Sequence, residues 1–335
     1  MTALTSGLSG GLTSGLAPHI ESLLEVKHAV GLPYVESERH LRNFDALCAE
    51  EFPGQAILSP AMAMRWAASR PGEHVNGQMR RITPVRQLGK HMIACGMQAY
   101  VIAPGIPGRK VRYRPHLFSA EQLRAMFAAA DQIVASPYGG RREVIIPVIF
   151  RMIYCLGLRP GEARRLYRND VDLARGTVHI RQSKGHKDRL VFMSADLHDY
   201  CRRYDTVISA HHPDRIAFFP NQTGGFYSAN TIDCWFNEVA TGIKTAGGKT
   251  KGQALPLPRV YDLRHAHVIE NINRWTRAGR NPEVMLAYLS IHLGHTNPDD
   301  TWYYFHLAPD FHPDLRELAN TGIESILPEV VGHAR

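Results

Sequence analysis

Apolar side chains recur with the period of an α-helix in four stretches of the first hundred residues, at 18–30, 37–52, 62–68 and 82–95. Ser59 followed by Pro60 suits the N-cap and first position of the third stretch. The pattern predicts an all-α bundle of about four helices over 18–101, after a flexible leader over 1–17 that is rich in Gly, Ser, Thr and Leu.

The helical pattern is interrupted at 102–117. The segment from Ile102 to Pro115 holds three prolines, two glycines and four basic residues without periodicity. This composition predicts an extended basic linker over 102–117. A second domain is expected over 118–312, followed by a tail at 313–335 whose apolar spacing suits either a contact with another protomer or packing within the chain.

The second domain combines helices with a short β-rich region. Ser119 and Gln122 form a predicted capping box at the start of one helix, and 144–156 predicts a buried helix. The runs 177–182 and 189–193 predict a β-hairpin. Helical periodicity returns at 195–207, 228–243, 262–275, 282–292 and 299–307. The fold class is therefore mainly α with a small antiparallel β-sheet (an α+β domain), preceded by an all-α helical bundle.

Composition narrows the class of protein. Hydrophobic residues make up 44% and charged residues 21% of the 335, which is typical of globular proteins. No apolar run reaches the ~18–20 residues of a membrane helix, and the N-terminus lacks a basic, then apolar, secretory signal. Five scattered cysteines without a CxxC pair suggest reduced thiols. We expect a cytoplasmic protein without membrane contact.

Charge indicates a polyanionic partner. The net charge is +8, and between Arg65 and Arg114 ten basic residues face a single acid, Glu73.

Four separated segments of the second domain carry candidate chemistry. They are GLRPGEARRL from Gly157, SKGHKDRLVFM from Ser183, YDLRHAH from Tyr261, and LGHTNPDDTWYYFH from Leu293. In this order the segments resemble the motifs of the tyrosine recombinase, or phage integrase, family, and the TWYYFHLAP stretch is similar to integrases of transposon-type mobile elements. The resemblance covers the second domain, and 18–101 resembles the family's core-binding domain by layout and basic character.

The resemblance implies a role for each catalytic candidate. Arg159 and Arg264 would hold the non-bridging oxygens of a DNA phosphate, for which planar guanidinium forks suit better than lysine. His295 would hydrogen-bond the same phosphate. Lys184 would protonate the leaving 5′ oxygen, and Tyr304 would be the nucleophile that forms a 3′-phosphotyrosyl bond. No metal or other cofactor is implied.

Several alternatives remain open. Tyr303 competes with Tyr304, and Lys187 with Lys184. Tyr261 occupies the first position of the HxxR box, where the family has histidine, and a phenol is a poor base at neutral pH. His265 or His267 could replace that histidine. Glu162 either orients the arginine turn or is a simple first-turn acid.

His292 and His295 lie three residues apart, but no Cys or carboxylate cluster completes the four ligands of a zinc site, so no metal is assigned.

A second set of basic residues is expected to contact DNA. One helix face and the linker supply these candidates: Arg80, Arg81, Arg86, Lys90, Arg109, Lys110, Arg112 and Arg114. The resemblance implies double-stranded DNA as partner and a homo-oligomer, a dimer on one site and a tetramer in synapsis. The predicted function is a site-specific recombinase. A type IB topoisomerase-like nicking-closing enzyme and a catalytically weakened DNA-binding protein are the alternatives.

Overall fold

A computed structural model of the chain describes residues 11–111, 113–136, 140–181, 188–246, 257–295, 297, 299–304 and 307. The chain divides into two compact units, Met1–Tyr113 and Arg114–Arg335. Candidates Lys184, Lys187 and Arg112, the first ten residues and the predicted tail lie outside the described residues.

The first unit is a helical bundle, as the apolar periodicity predicted. Its helices are α1 (Ala17–Ala29), α2 (Val35–Glu51), α3 (Pro60–Ala67) and α4 (Val75–Ala94). Ser59 caps α3 by accepting a hydrogen bond from the Met62 amide. Phe44 and Trp66 meet edge to face in the core, with ring centroids 5.4 Å apart. Helix α4 begins seven residues before the predicted stretch, because its polar first two turns hide the apolar period.

The second unit is built around a helix that is apolar on almost every side. Helix α6 (Arg142–Leu156) is buried through Ile145, Ile149, Phe150 and Ile153, and Pro147 lies inside it. Around it lie α5 (Ala120–Asp131), α8 (Ala195–His211), α9 (Ala229–Val239), α10 (Thr241–Ala246) and α11 (Asp262–Arg277). Ser119 and Gln122 form the predicted capping box of α5.

The sheet of this unit has three antiparallel strands, β1 (Val171–Asp172), β2 (Thr177–Ile180) and β3 (Arg189–Phe192), in the order β1-β2-β3. The hairpin β2-β3 is confirmed, with Val178 opposite Val191. β1 was not predicted, because two residues are too few to show alternation.

Three short or terminal helices complete the unit: α7 (Pro160–Ala163), α12 (Pro282–Leu293) and α13 (Asp299–Trp302). Several other helix bounds differ from the prediction. The stretch 228–243 forms two helices, α9 and α10, helix α8 extends to His211 instead of ending at 207, and α13 ends at Trp302. Within the described part of the chain, no helix combines the length and apolarity needed to cross a membrane.

Candidate active site

The turn that carries Arg159 begins where α6 ends. Gly157 ends that helix with φ of 61°, a left-handed conformation that favours glycine. A Cβ at this position would lie 2.7 Å from Cδ2 of His267 and 3.0 Å from Cδ2 of Leu293. Glycine therefore lets helices α11 and α12 approach the end of α6 closely.

Arg159 and Glu162 hold each other across the short helix α7. One oxygen of the Glu162 carboxylate accepts a hydrogen bond from the Arg159 amide at 2.9 Å, and the other accepts one from Nη1 at 2.6 Å. Nη2 of Arg159 donates to the Gly294 carbonyl at 3.2 Å. The Arg159 guanidinium is thereby directed toward the segment after α12.

Arg264 reaches the same place from α11. Its side chain is fully buried, and its guanidinium donates to the carbonyls of Gly157 (2.6 Å) and Leu293 (2.7 Å). Nη1 lies 3.9 Å from the Glu162 carboxylate. Burial lowers the pKa of Arg264 to about 10, with repulsion from Arg159 contributing. Arg264 therefore keeps its positive charge at neutral pH.

His295 completes this cluster. Its Nε2 accepts a hydrogen bond from Nη2 of Arg264 at 3.2 Å, because a guanidinium can only donate. The opposite nitrogen, Nδ1, lies 2.6 Å from Oγ1 of Thr301. Burial and the charge of Arg264 lower the pKa of His295 to about 4, so the imidazole is neutral at pH 7. The structure thus brings together Arg159, Arg264 and His295.

Arg189 belongs to the same cluster, and sequence reasoning did not assign it a role. At the first position of β3, it donates from Nη1 and Nη2 to the two Glu162 oxygens at 3.0 and 2.7 Å, and from Nε to the His292 carbonyl at 2.8 Å. Strand alternation could have found it, because Arg189 has the parity of the buried Val191. A buried arginine on the inner face of a strand requires a partner.

Glu162 is the acid that these arginines share. Burial alone would raise its pKa, but hydrogen bonds and attraction from Arg189 and Arg159 outweigh burial and lower it to about 2. Its carboxylate lies within 4.0 Å of the guanidinium groups of Arg159, Arg189 and Arg264. One carboxylate can balance only one of these three charges.

Tyr304 is the buried member of the tyrosine pair. Both tyrosines follow the end of α13, and Tyr304 is 4% exposed while Tyr303 is half-buried. The Tyr304 ring packs in a small core that includes Val268, Ile272 and Leu289. Burial raises the pKa of the Tyr304 phenol above its ordinary value. Its hydroxyl lies 2.6 Å from Nδ1 of His265.

Tyr261 and His267 occupy different sides of α11. The half-buried Tyr261 ring packs against the His265 ring at 5.0 Å between centroids. His267 instead stacks on His292 at 5.4 Å, and Nε2 of His292 lies 3.0 Å from the Leu156 carbonyl. His292 and His295 therefore have separate partners. The described residues contain no group of three His, Cys, Asp or Glu placed to hold a metal ion.

The structure corrects the predicted basic face of α4. Arg81 is 2% exposed, and its guanidinium bonds Glu73 and the carbonyls of Trp66 and Ala68. The prediction that Arg81 lies on a DNA-contacting surface is therefore wrong for this conformation, because α4 is buried on the face that carries Arg81.

Arg86, a second candidate on α4, is also engaged in hydrogen bonds within the protein. Its guanidinium donates to the carbonyls of Ile102, Ala103 and Ile106, which holds the start of the predicted linker against α4. Asn76 pairs with the Val111 backbone in the same way. The remaining described candidates are exposed: Arg80, Lys90, Arg109 and Lys110 in the first unit, and Arg114 in the second.

Comparison with known proteins identifies the family of this chain. The model of the phage integrase family matches residues 117–310, more than half of the chain. "Putative integrase/recombinase y4rE" of Sinorhizobium fredii is 28% identical over 294 residues, which cover 86% of this chain and 91% of that protein.

Two solved structures share the fold. One is the XerH site-specific recombinase bound to its palindromic difH substrate, with a TM-score of 0.61 and 17% identity over 90% of this chain and 82% of that one. The other is the Tn1549 transposon integrase in complex with transposon right end DNA, with a TM-score of 0.59 and 13% identity over 90% and 99%.

The chain belongs to the phage integrase family, and it is a site-specific recombinase of the tyrosine type.

Proposed function

We propose that this protein cuts and rejoins duplex DNA through a covalent 3′-phosphotyrosyl bond to Tyr304, using neither a metal ion nor ATP. The observation that carries the proposal is the convergence of Arg159, Arg264 and His295 on the segment after α12, with the Tyr304 hydroxyl held against His265, the residue after Arg264.

The arginine cluster suits a phosphodiester in its transition state. Attack on phosphorus places additional negative charge on the two non-bridging oxygens, and donors aimed at that charge lower the barrier. Arg159 and Arg264 supply planar, permanently charged donors. His295 lies against the Arg264 guanidinium. Glu162 fixes the first of these arginines through two hydrogen bonds.

The covalent step preserves the energy of the broken bond. The Tyr304 oxygen bonds to phosphorus, and the bond from phosphorus to the 5′ oxygen breaks. Lys184, by the family resemblance, gives the leaving oxygen its proton. Because the phosphotyrosyl ester retains the bond energy, a 5′-hydroxyl can attack it and release Tyr304 without ATP.

The remaining basic residues extend the proposal to DNA binding. We assign phosphate contacts to the exposed Arg80, Lys90, Arg109, Lys110 and Arg114. The working assembly is a dimer on one site and a tetramer in synapsis, because exchange of two duplexes needs four cleavages. A mobile element is the proposed source of the substrate, in line with the similarity to a transposon integrase.

A nicked suicide substrate tests the chemistry. The wild type should form a covalent adduct with the DNA, Tyr304→Phe should form none, and Tyr303→Phe should retain it. Peptide mapping of the adduct identifies the tyrosine. An adduct that survives Tyr304→Phe would contradict the assignment of the nucleophile, and DNA binding without any adduct would favour a binding protein. Relaxed plasmid without recombinant product would favour the nicking-closing enzyme.

A further inference from the structure

The described residues place one imidazole against the hydroxyl of Tyr304. Nδ1 of His265 lies 2.6 Å from this oxygen, and the ring centroids are 5.4 Å apart. We propose that His265 is the general base that takes the phenol proton of Tyr304 when it attacks DNA, and that Asp262 positions the imidazole. This inference rests on the proposed function, since it concerns the proton of the same nucleophile.

The environment of His265 makes Nδ1 the accepting nitrogen. Asp262 is fully buried one turn earlier on α11, and its Oδ1 lies 3.9 Å from Nε2 of His265. A carboxylate on that side favours the tautomer with its proton on Nε2. Burial and the charge of Arg264 lower the pKa of His265 to about 4, so the ring is neutral and Nδ1 is open to the phenol proton.

The other candidates on the same helix are placed differently. Tyr261, at the family's histidine position, carries a phenol, which is a poor proton acceptor. Its ring lies against His265. His267 stacks on His292 beside the end of α6. We therefore assign the role of the missing histidine to the residue four positions later.

The proton balance of the step is complete. In cleavage, the O–H bond of Tyr304 breaks, the proton moves to Nδ1 of His265, and the phenolate oxygen forms its bond to phosphorus. The 5′ oxygen leaves with a proton from the general acid. In rejoining, a 5′-hydroxyl gives its proton back to the general acid as its oxygen bonds to phosphorus, the bond from phosphorus to the Tyr304 oxygen breaks, and His265 returns its proton to the departing phenolate. Asp262 stabilises the imidazolium between these steps.

The arrangement also explains how a buried tyrosine reacts. Tyr304 is 4% exposed, and burial disfavours its phenolate. Without an adjacent acceptor, the proton would have no described group to receive it at hydrogen-bond distance. A positioned base contributes typically 10²- to 10⁴-fold to a rate.

Single-turnover cleavage of the suicide substrate by His265→Asn tests the proposal. An asparagine oxygen can occupy the place of Nδ1 and accept the phenol hydrogen bond, but it cannot take the proton. We expect cleavage about 10²- to 10⁴-fold slower with unchanged DNA affinity. His265→Gln provides a second variant if the first does not fold, and His211→Asn, on the exposed part of α8, serves as the matched control.

Two chemical modifications, one of the nucleophile and one of the DNA, distinguish a general base from a residue with a purely structural role. Replacing Tyr304 with a fluorinated tyrosine lowers the pKa of the nucleophile, so it should restore part of the rate lost in His265→Asn. A 5′-bridging phosphorothioate leaving group needs no proton, so it should restore Lys184→Ala and leave His265→Asn slow.

Each outcome bears on one of the two proposals. If wild-type protein forms no adduct, the proposed function fails and the inference fails with it. If wild type forms the adduct and folded His265→Asn cleaves as fast, only the inference is overturned. A rate defect in His265→Asn that fluorotyrosine leaves unchanged, or that the phosphorothioate abolishes, also overturns it.

Discussion

Arg81 in the first unit and Arg264 in the second are both buried, but their surroundings differ. In the first unit, Arg81 is 2% exposed and forms a two-point ion pair with Glu73 at 2.6 and 2.7 Å. In the second unit, Arg264 is fully buried, but its nearest described carboxylate, that of Glu162, is 3.9 Å away and also holds Arg159 and Arg189. Glu73 pairs with one buried arginine, whereas Glu162 lies within 4.0 Å of three guanidinium groups.

This difference distinguishes a structural arginine from one suited to bind an anion. The Arg81 charge is balanced locally, and its remaining donors bond the carbonyls of Trp66 and Ala68. Around Glu162, three guanidinium groups lie within 4.0 Å of one carboxylate, and other donors of these groups bond backbone carbonyls. Rigid donors of this kind stabilise a developing oxyanion without reorganising. A basic composition alone does not separate these two cases.

The largest expected contrast between the two units comes from replacing Arg264 and Arg81 by lysine. Arg264→Lys should slow adduct formation about 10²- to 10³-fold, the typical cost of losing a transition-state donor. Arg81→Lys should lower the melting temperature and leave cleavage per folded molecule near wild type. Melting curves and single-turnover rates measure both. Equal loss of cleavage in the two variants would contradict the assignment of Arg264 to anion binding and of Arg81 to structure.

The next effect concerns Arg189. Arg189→Gln should slow cleavage about 10- to 100-fold, because Glu162 and the end of α12 would shift and displace Arg159 and His295, and small misplacements are costly. Arg175→Gln, at the exposed turn between β1 and β2, is the matched control. The rate at saturating DNA separates loss of positioning from loss of binding, and a defect confined to affinity would argue against positioning.

A smaller effect is expected on stability at acidic pH. Burial lowers the pKa of His265 and His295 to about 4 and that of His267 to about 3, against 6.5 ordinarily. Between these values the unfolded chain binds more protons than the folded one, so stability falls as the pH falls from about 6.5 toward 4.

Urea unfolding at several pH values measures this slope. His267→Asn should make the dependence of the unfolding free energy on pH shallower, because it removes one of the three titrating histidines. A free energy of unfolding that stays constant from pH 6.5 to 4.5 would contradict the burial of neutral histidines around Arg264.

The smallest effect concerns the exposed basic residues. Arg80→Ala and Lys90→Ala should each reduce the slope of log affinity against log salt by about 0.9, as loss of one phosphate contact requires. Arg81→Met should leave the slope unchanged, since its guanidinium already bonds protein groups. Binding titrations at a series of salt concentrations measure this slope for each variant. A slope altered by Arg81→Met and not by Arg80→Ala would reverse the assignment of structural and DNA-contacting residues.

Local features of the sequence predicted most of the fold. Apolar periodicity located the first three helices of the bundle, and Ser119 with Gln122 located the start of α5. Predictions failed where a local signal is weak: β1 is two residues long, and the polar start of α4 hides its period. The sequence pattern also misplaced Arg81, because the spacing of basic residues along a helix does not show whether their face meets water or a tryptophan.

By itself the sequence determined the succession of helices and strands and the order of the four motifs, because periodicity and turn chemistry act between residues close along the chain. Only the tertiary structure decided that Arg189 joins the Glu162 cluster and that His265, not His267, meets Tyr304. These contacts span 27 and 39 residues along the chain. Their partners are selected by how α11, α12 and β3 pack, and spacing along one helix cannot show which side chain faces which neighbour.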